Sequence, residues 1–265
     1  GFYMELKPEM LPIYRKITEF VMETPPKGKE EVENHDLVIR TLYFDLVTKA
    51  ETINFLYENG ESDDIGMIFR SFIELYMYLK YILEKNTVNR ARACFYWQKY
   101  NNIKILNDNL ELMDSEEKQL TLKEIDDSLR NSINSHYDDL STYRDYIETQ
   151  INSCYTNNTS LRNRKNWWNE SADKQSDIRS LFKYLKEEQV YAAIYKKYST
   201  SSHGLSVLGN MDVTKNSIGI KKPSDKDTVF TVLNGYLFGM TQIVVDYHDI
   251  RQEVQPLLLK IKEMV

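Results

Sequence analysis

The sequence has 265 residues, of which 42% are hydrophobic and 28% are charged, and its formal net charge is −6 at pH 7. This length and composition suit a globular protein with a large core, and the negative charge argues against a surface coated with positive charge for nucleic acid. Two cysteines, Cys94 and Cys154, are too few for a disulfide scaffold and indicate a reducing cytoplasm. Met4 opens no apolar run, so no secretion signal is expected.

Helical periodicity runs through most of the chain. In chain order it predicts helices over residues 5–23, 30–57, 65–85, 86–113, 115–153, 176–185, 187–200 and 228–264. Residues 155–166 form the main predicted loop, and Val213 and residues 218–220 are predicted as short extended pieces. The chain lacks a low-complexity linker. We therefore expect a single all-α domain over residues 1–265, a helical bundle of about seven to nine helices.

The most apolar late segment, residues 229–245, is predicted to be a core helix. It is interrupted by Asn234, Gly235, Gly239 and Gln242, which do not suit a membrane span. No membrane interaction is therefore expected.

Two charges stand in an otherwise apolar stretch, residues 65–79. Arg70 and Glu74 are four residues apart and share one face of a helix that is apolar nearly all round, which predicts a buried helix. Buried charges must be paired, and such pairs indicate a specific polar site rather than extra stability. A purely structural salt bridge between two helices is the alternative interpretation.

A second polar cluster covers residues 195–204 and includes Tyr195, Ser199 and His203 at four-residue spacing. These side chains form one stripe if the helix continues that far, and the helix dipole would favour the charged form of His203. A fraying helix end capped by Gly204 explains the same residues. A serine–histidine hydrolase is the weaker alternative, since no nucleophile elbow or acidic partner is evident.

The order of these motifs resembles a family of bacterial all-helical proteins of unknown function. The resemblance rests on Arg70-x3-Glu74, a later Trp167-Trp168 pair, and Tyr191-x6-Tyr198-Ser199-x3-His203, and it spans about residues 65–204. It implies a helical fold in which Arg70, Glu74, Ser199 and His203 converge, and it implies no established reaction.

A more distant resemblance is to the HEPN class of helical ribonucleases, whose signature is an arginine and a histidine six positions later. Arg130 and His136 have this spacing, which places both side chains near one cleft. The class implies metal-free RNA cleavage, in which histidine moves protons and arginine steadies the phosphate. A solvated, highly charged helix face is the alternative. Lys197 stands six positions before His203, where the signature has arginine.

Basic and aromatic residues interleave at positions 162–168. Arg162, Arg164 and Lys165 precede Trp167, a pattern that can grip phosphate and stack a base. Buried tryptophans that anchor the loop to the core explain the same pattern and are favoured.

No metal or other cofactor is expected. His35-Asp36 and the residues 246–249 lack the Glu-x-x-His pattern of a di-iron bundle. The sequence leaves two functions open: a HEPN-like, metal-independent endoribonuclease of a toxin or phage-defence system, and a non-catalytic helical module. The expected partners are RNA for the first, and a protein, a small ligand or a second copy for the other.

Overall fold

The structure, a computed structural model, describes residues 4–25, 32–61, 64–132, 137–155, 161–168, 177–199, 211–220 and 225–265. It confirms an all-α fold, with ten helices in this part of the chain where about seven to nine were expected. The helices are α1 (Leu11–Glu23), α2 (Asn34–Glu58), α3 (Ile65–Glu84), α4 (Thr87–Glu111), α5 (Ser115–Arg130), α6 (Leu140–Ser153), α7 (Ile178–Tyr184), α8 (188–199), α9 (Lys226–His248) and α10 (Arg251–Glu263).

Two predicted long helices are each divided in two, which raises the count. The helix expected over residues 115–153 stops at Arg130, and α6 starts afresh from Asp139. The Asp139 carboxylate accepts from the backbone N–H of Thr142, while the Thr142 side chain accepts in return from the Asp139 N–H, forming a capping box. The helix expected over residues 228–264 breaks at Asp249, whose left-handed backbone (φ 55°) ends α9.

The short extended pieces are confirmed as strands. β1 (Met211–Val213) and β2 (Ile218–Ile220) pair antiparallel, with Met211 opposite Ile220 and Val213 opposite Ile218. Thr214 and Ser217 close the hairpin through backbone and hydroxyl hydrogen bonds.

The chain divides into two compact units. Unit 1 combines residues 1–85 with residues 182–265, and unit 2 is the continuous segment 86–181. In unit 1, α2 packs against α1 and α3, α9 packs against α2 and α3, and α8 packs against α3. In unit 2, α6 packs against α4 and α5. The expectation of one domain stays a prediction.

The helix α9 is long and apolar enough to cross a membrane, with a mean hydropathy of 1.4 over its best window. Half of that window is buried in the protein, and the buried residues include Val229, Leu233, Leu237 and Val244. Its packing against α2 and α3 fits the predicted core helix. The expected lack of a membrane partner and the cytoplasmic location stay predictions.

Candidate functional site

Arg70 and Glu74 form the predicted ion pair on α3, and Tyr195 of α8 joins them. The Arg70 Nε atom lies 3.0 Å from Glu74 Oε1 and 3.1 Å from the Tyr195 hydroxyl oxygen. The Tyr195 hydroxyl donates to the same Glu74 oxygen at 2.5 Å. The guanidinium carbon also lies 5.3 Å from the centre of the Tyr195 ring. The three side chains are therefore hydrogen-bonded to one another and form a polar cluster between α3 and α8 in unit 1.

This cluster is half-buried rather than enclosed. The side chain of Arg70 is 34% exposed and that of Glu74 is 23% exposed, although α3 itself is mostly buried. Most of each side chain is nevertheless covered by the protein, on the side of α3 that meets α8. Part of the ion pair is therefore accessible to solvent, while Tyr195 is buried.

Tyr195 reaches the ion pair from an unusual turn. Residues Tyr191–Tyr195 form a π-helical turn inside α8, and such turns are frequent at functional sites. Burial, followed by its hydrogen bond to Glu74, raises the pKa of the Tyr195 hydroxyl. The phenol therefore stays protonated near neutral pH and acts as a donor to the Glu74 carboxylate.

A second contact fixes the chain just before α8. Glu187 accepts from Lys80 Nζ on α3 at 2.8 Å and from the Tyr236 hydroxyl of α9 at 3.2 Å. The Tyr236 ring stacks on Tyr76 of α3, with ring centres 3.8 Å apart. These contacts place the start of α8 on α3 and α9.

A third contact fixes the other end of α8. The Asp225 carboxylate accepts from Lys197 Nζ at 2.7 Å and from the Tyr198 hydroxyl at 2.9 Å. The hydrogen bond from Lys197 lowers the pKa of Asp225, so this carboxylate stays ionised. The Tyr198 ring meets Phe69 of α3 edge to face. The helix that carries Tyr195 is thus held at both ends.

The structure describes only some of the other residues that were predicted to be catalytic. Ser199 is the last residue of α8, one turn after Tyr195. His203 and His136 lie outside the described residues, so the convergence of His203 with Arg70 stays a prediction. Arg130, at the end of α5, is exposed and pairs with Asp127.

The predicted RNA-contacting segment is largely inward-facing in unit 2. Arg164 is buried and its guanidinium carbon lies 3.5 Å from the centre of the Tyr155 ring. Trp167 and Trp168 are buried as well, and the Trp167 carbonyl accepts from the Tyr155 hydroxyl at 2.8 Å. This agrees with the interpretation in which buried tryptophans anchor the loop to the core. Lys165 is exposed, and the backbone of Arg162 lies in a short 3-10 turn. Their role in RNA binding stays a prediction.

Sequence reasoning missed a more deeply buried ionic cluster in unit 1. Asp36 and Arg40, four residues apart on α2, form an ion pair at 2.8 Å (Oδ2 to Nε), and both are buried. His248 at the end of α9 is buried beside them, with Nδ1 3.6 Å from Asp36 Oδ1. Arg40 also donates to the carbonyl oxygens of Val21 and Met22 at the end of α1. The cluster thus joins three helices.

His248 is expected to make stability depend on pH. Burial, only partly opposed by Asp36 and reinforced by Arg40, lowers the pKa of His248 to about 4. In the unfolded chain the pKa of this histidine is about 6.5, so the unfolded chain binds more protons than the folded chain between these two values. The contribution of His248 to the free energy of unfolding should therefore be fully present above that window and fall as the pH drops through it, by up to about 1.4 kcal/mol per pH unit.

Urea denaturation of the wild type and His248→Gln across pH 4–8 measures this effect. The difference in unfolding free energy between the two proteins should shrink as the pH falls, since the glutamine side chain takes no proton. His35→Gln, a change to the other described histidine, is the control. A difference that is constant over the whole range would contradict the assignment.

Among the residues that the structure describes, no group of three or more His, Cys, Asp or Glu side chains is arranged to hold a metal ion. Whether the protein needs a metal for its function is not tested by this finding, so the expected independence of metal stays a prediction. Neither described cysteine is disulfide-bonded; Cys154 is buried and Cys94 is half-buried.

The fold and site define an all-helical protein with a half-open Arg–Glu–Tyr cluster on a buried helix. The chain belongs to a family of unknown function (DUF5677), whose family model matches residues 36–219 and so includes α3, α8 and the cluster between them. No curated protein and no solved structure matches the chain. The predicted membership of an uncharacterised family is confirmed.

Proposed function

We propose that the protein is a metal-independent endoribonuclease that uses the Arg70–Glu74–Tyr195 cluster and His203. The observation that carries this proposal is the half-open arginine, which is held by a carboxylate and a phenol on two fixed helices. A guanidinium fixed in this way suits the charge of a phosphate that is being attacked.

The length of the chain allows His203 to reach this arginine. Ser199 ends α8 one helical turn, about 6 Å, beyond Tyr195. His203 follows Ser199 by only four residues, a length of at most about 14 Å of extended chain, so chain length permits the proposed contact.

The proposed reaction is a transesterification within the RNA. His203 takes the proton of a 2′-hydroxyl, whose oxygen attacks the adjacent phosphorus and breaks the bond to the 5′-oxygen, and the proton then passes to that leaving oxygen. Arg70 stabilises the charge on the phosphate, Glu74 and Tyr195 hold its guanidinium in place, and Ser199 is assigned as a further donor. The products are a 2′,3′-cyclic phosphate and a 5′-hydroxyl.

An assay with end-labelled single-stranded and hairpin RNA in EDTA tests the proposal. We expect the wild type to cleave, a 2′-deoxy sugar at the cleavage position to block the reaction, and His203→Ala to abolish it without loss of helical content. His136→Ala should have little effect; the reverse result would move the site to Arg130 and His136.

Wild-type protein that leaves both RNAs intact at high concentration would overturn the proposal in favour of a binding module. Cleavage that is lost in EDTA would instead require a metal.

The proposed setting is a toxin or phage-defence system in a bacterial cytoplasm, by analogy with the class of helical ribonucleases. Expression in bacterial cells should then arrest growth, and His203→Ala should restore it. Arrest that persists in His203→Ala at equal protein levels would separate toxicity from RNA cleavage.

A further inference from the structure

The outer surface of α5 in unit 2 has no packing partner among the described residues. This helix contains no buried residue at all, although Leu122, Ile125 and Leu129 on its inner side are half-buried. Leu120 lies on the opposite side of the helix and is 61% exposed. Most of this apolar side chain is therefore left in water by the fold of the unit that carries it.

Two more exposed apolar side chains belong to the second half of α4 and its C-cap. Ile105 is 59% exposed and Leu112 is 86% exposed, the highest value among the large hydrophobic residues that the structure describes. They are seven residues apart and so share one face. Leu112 is the C-cap residue of α4, and Leu120 lies in the second turn of α5, eight residues later. We call Ile105, Leu112 and Leu120 the apolar tip.

Acidic side chains surround the apolar tip. Residues 107–117 contain five acidic residues and no basic one, and residues 104–127 contain eight acidic and three basic residues. Around Leu120, the exposed carboxylates of Glu116, Glu117 and Glu124 lie one turn away, beside the single cation Lys123. The three exposed apolar side chains therefore stand in a strongly acidic part of the chain, which we call the rim.

The negative charge of the rim indicates which kind of molecule can bind there. RNA, an anionic membrane and a second copy of the same tip would each bring negative charge against it, which opposes docking. We propose that the tip binds a partner protein through a basic amphipathic helix, whose leucine-like side chains cover Ile105, Leu112 and Leu120 while its lysines or arginines meet the rim. Apolar contact at the centre then supplies affinity, and the charges supply steering and orientation.

A synthetic helical peptide of about 14 leucine and lysine residues, with a fluorescent label, is the probe. Its fluorescence anisotropy should report binding to the wild-type protein that weakens as salt is raised. The double variant Leu112→Ser/Leu120→Ser should lose at least tenfold in affinity, since it removes most of the apolar surface. Val88→Ser, at an exposed position at the other end of α4, is the matched control and should bind as the wild type does.

A peptide with glutamate in place of lysine should not bind. The proposal is overturned if the wild type does not bind the basic peptide, or if the double variant, shown to be folded by circular dichroism and thermal melting, binds it equally well. Self-association of the wild type that is abolished by Leu112→Ser would assign the tip to a second copy instead. None of these outcomes depends on RNA cleavage.

Discussion

Replacing Arg40 by Met is expected to lower the free energy of unfolding by about 3–5 kcal/mol, the usual cost of leaving one buried charge without its partner. The change strands the buried carboxylate of Asp36. It also removes the donors that Arg40 directs at Val21 and Met22 at the end of α1. The measurement is urea denaturation followed by circular dichroism at pH 7.

Arg144→Met is the matched control for this prediction. Arg144 pairs with Glu148 at the same four-residue spacing on α6, but its side chain is well exposed. An exposed pair contributes about 0–1 kcal/mol, so the control should lose little. If Arg40→Met and Arg144→Met cost the same, Asp36 and Arg40 do not form a buried pair in solution.

Two further measurements make the test specific to charge. Asp36→Leu in the Arg40→Met background should recover part of the loss, because no charge is then left unpaired, while the bonds to α1 remain absent. The loss of unfolding free energy caused by Arg40→Met should also be smaller at pH 5 than at pH 8. Once the guanidinium is gone, His248 can take up a proton and pair with Asp36.

Replacing Arg70 by Met is expected to lower the rate of RNA cleavage by about 10²–10³-fold, the usual effect of removing one preorganised donor to a transition-state charge. The loss of stability should be about 1 kcal/mol, because the pair with Glu74 is partly exposed to solvent. Single-turnover cleavage in EDTA measures the first effect, and urea denaturation measures the second.

Other variants separate the roles within the cluster. Arg70→Lys keeps the charge but loses the planar guanidinium, so its rate should fall between those of the wild type and Arg70→Met. Tyr195→Phe should lower the rate by roughly tenfold, since it removes one hydrogen bond from each of its two charged partners. Arg144→Met should cleave as fast as the wild type. Cleavage that is unaffected by Arg70→Met would exclude this cluster from the reaction.

The local parts of this structure could be predicted from the sequence, since they depend on spacing. Arg70 and Glu74 pair because they lie four apart on one helix, and Tyr195 was found in a stripe with Ser199. The breaks before Leu140 and after His248 were missed, although Asp139 and Thr142 have the spacing of a cap.

The degree of burial could not be predicted, because it depends on distant helices. Asp36 and Arg40 have the same four-residue spacing as Arg70 and Glu74, yet only the former are enclosed. What encloses them is the end of α1 and His248, 212 residues after Asp36. A window of sequence around Arg70 is more apolar than one around Arg40, so the sequence drew attention to the less buried of the two pairs.

The discontinuity of unit 1 has a consequence for its synthesis. The backbone N–H of Leu6 donates to the carbonyl of Phe230 at 2.9 Å, and Asn234 donates to the carbonyl of Met4. At about 5–20 residues per second, a ribosome needs roughly 10–45 s to make the chain between Leu6 and Phe230. All of unit 2 is synthesised before α9 is made. The apolar surfaces of α2 and α3 that pack against α9 stay uncovered until then. The nascent chain is therefore most exposed to aggregation before α9 emerges.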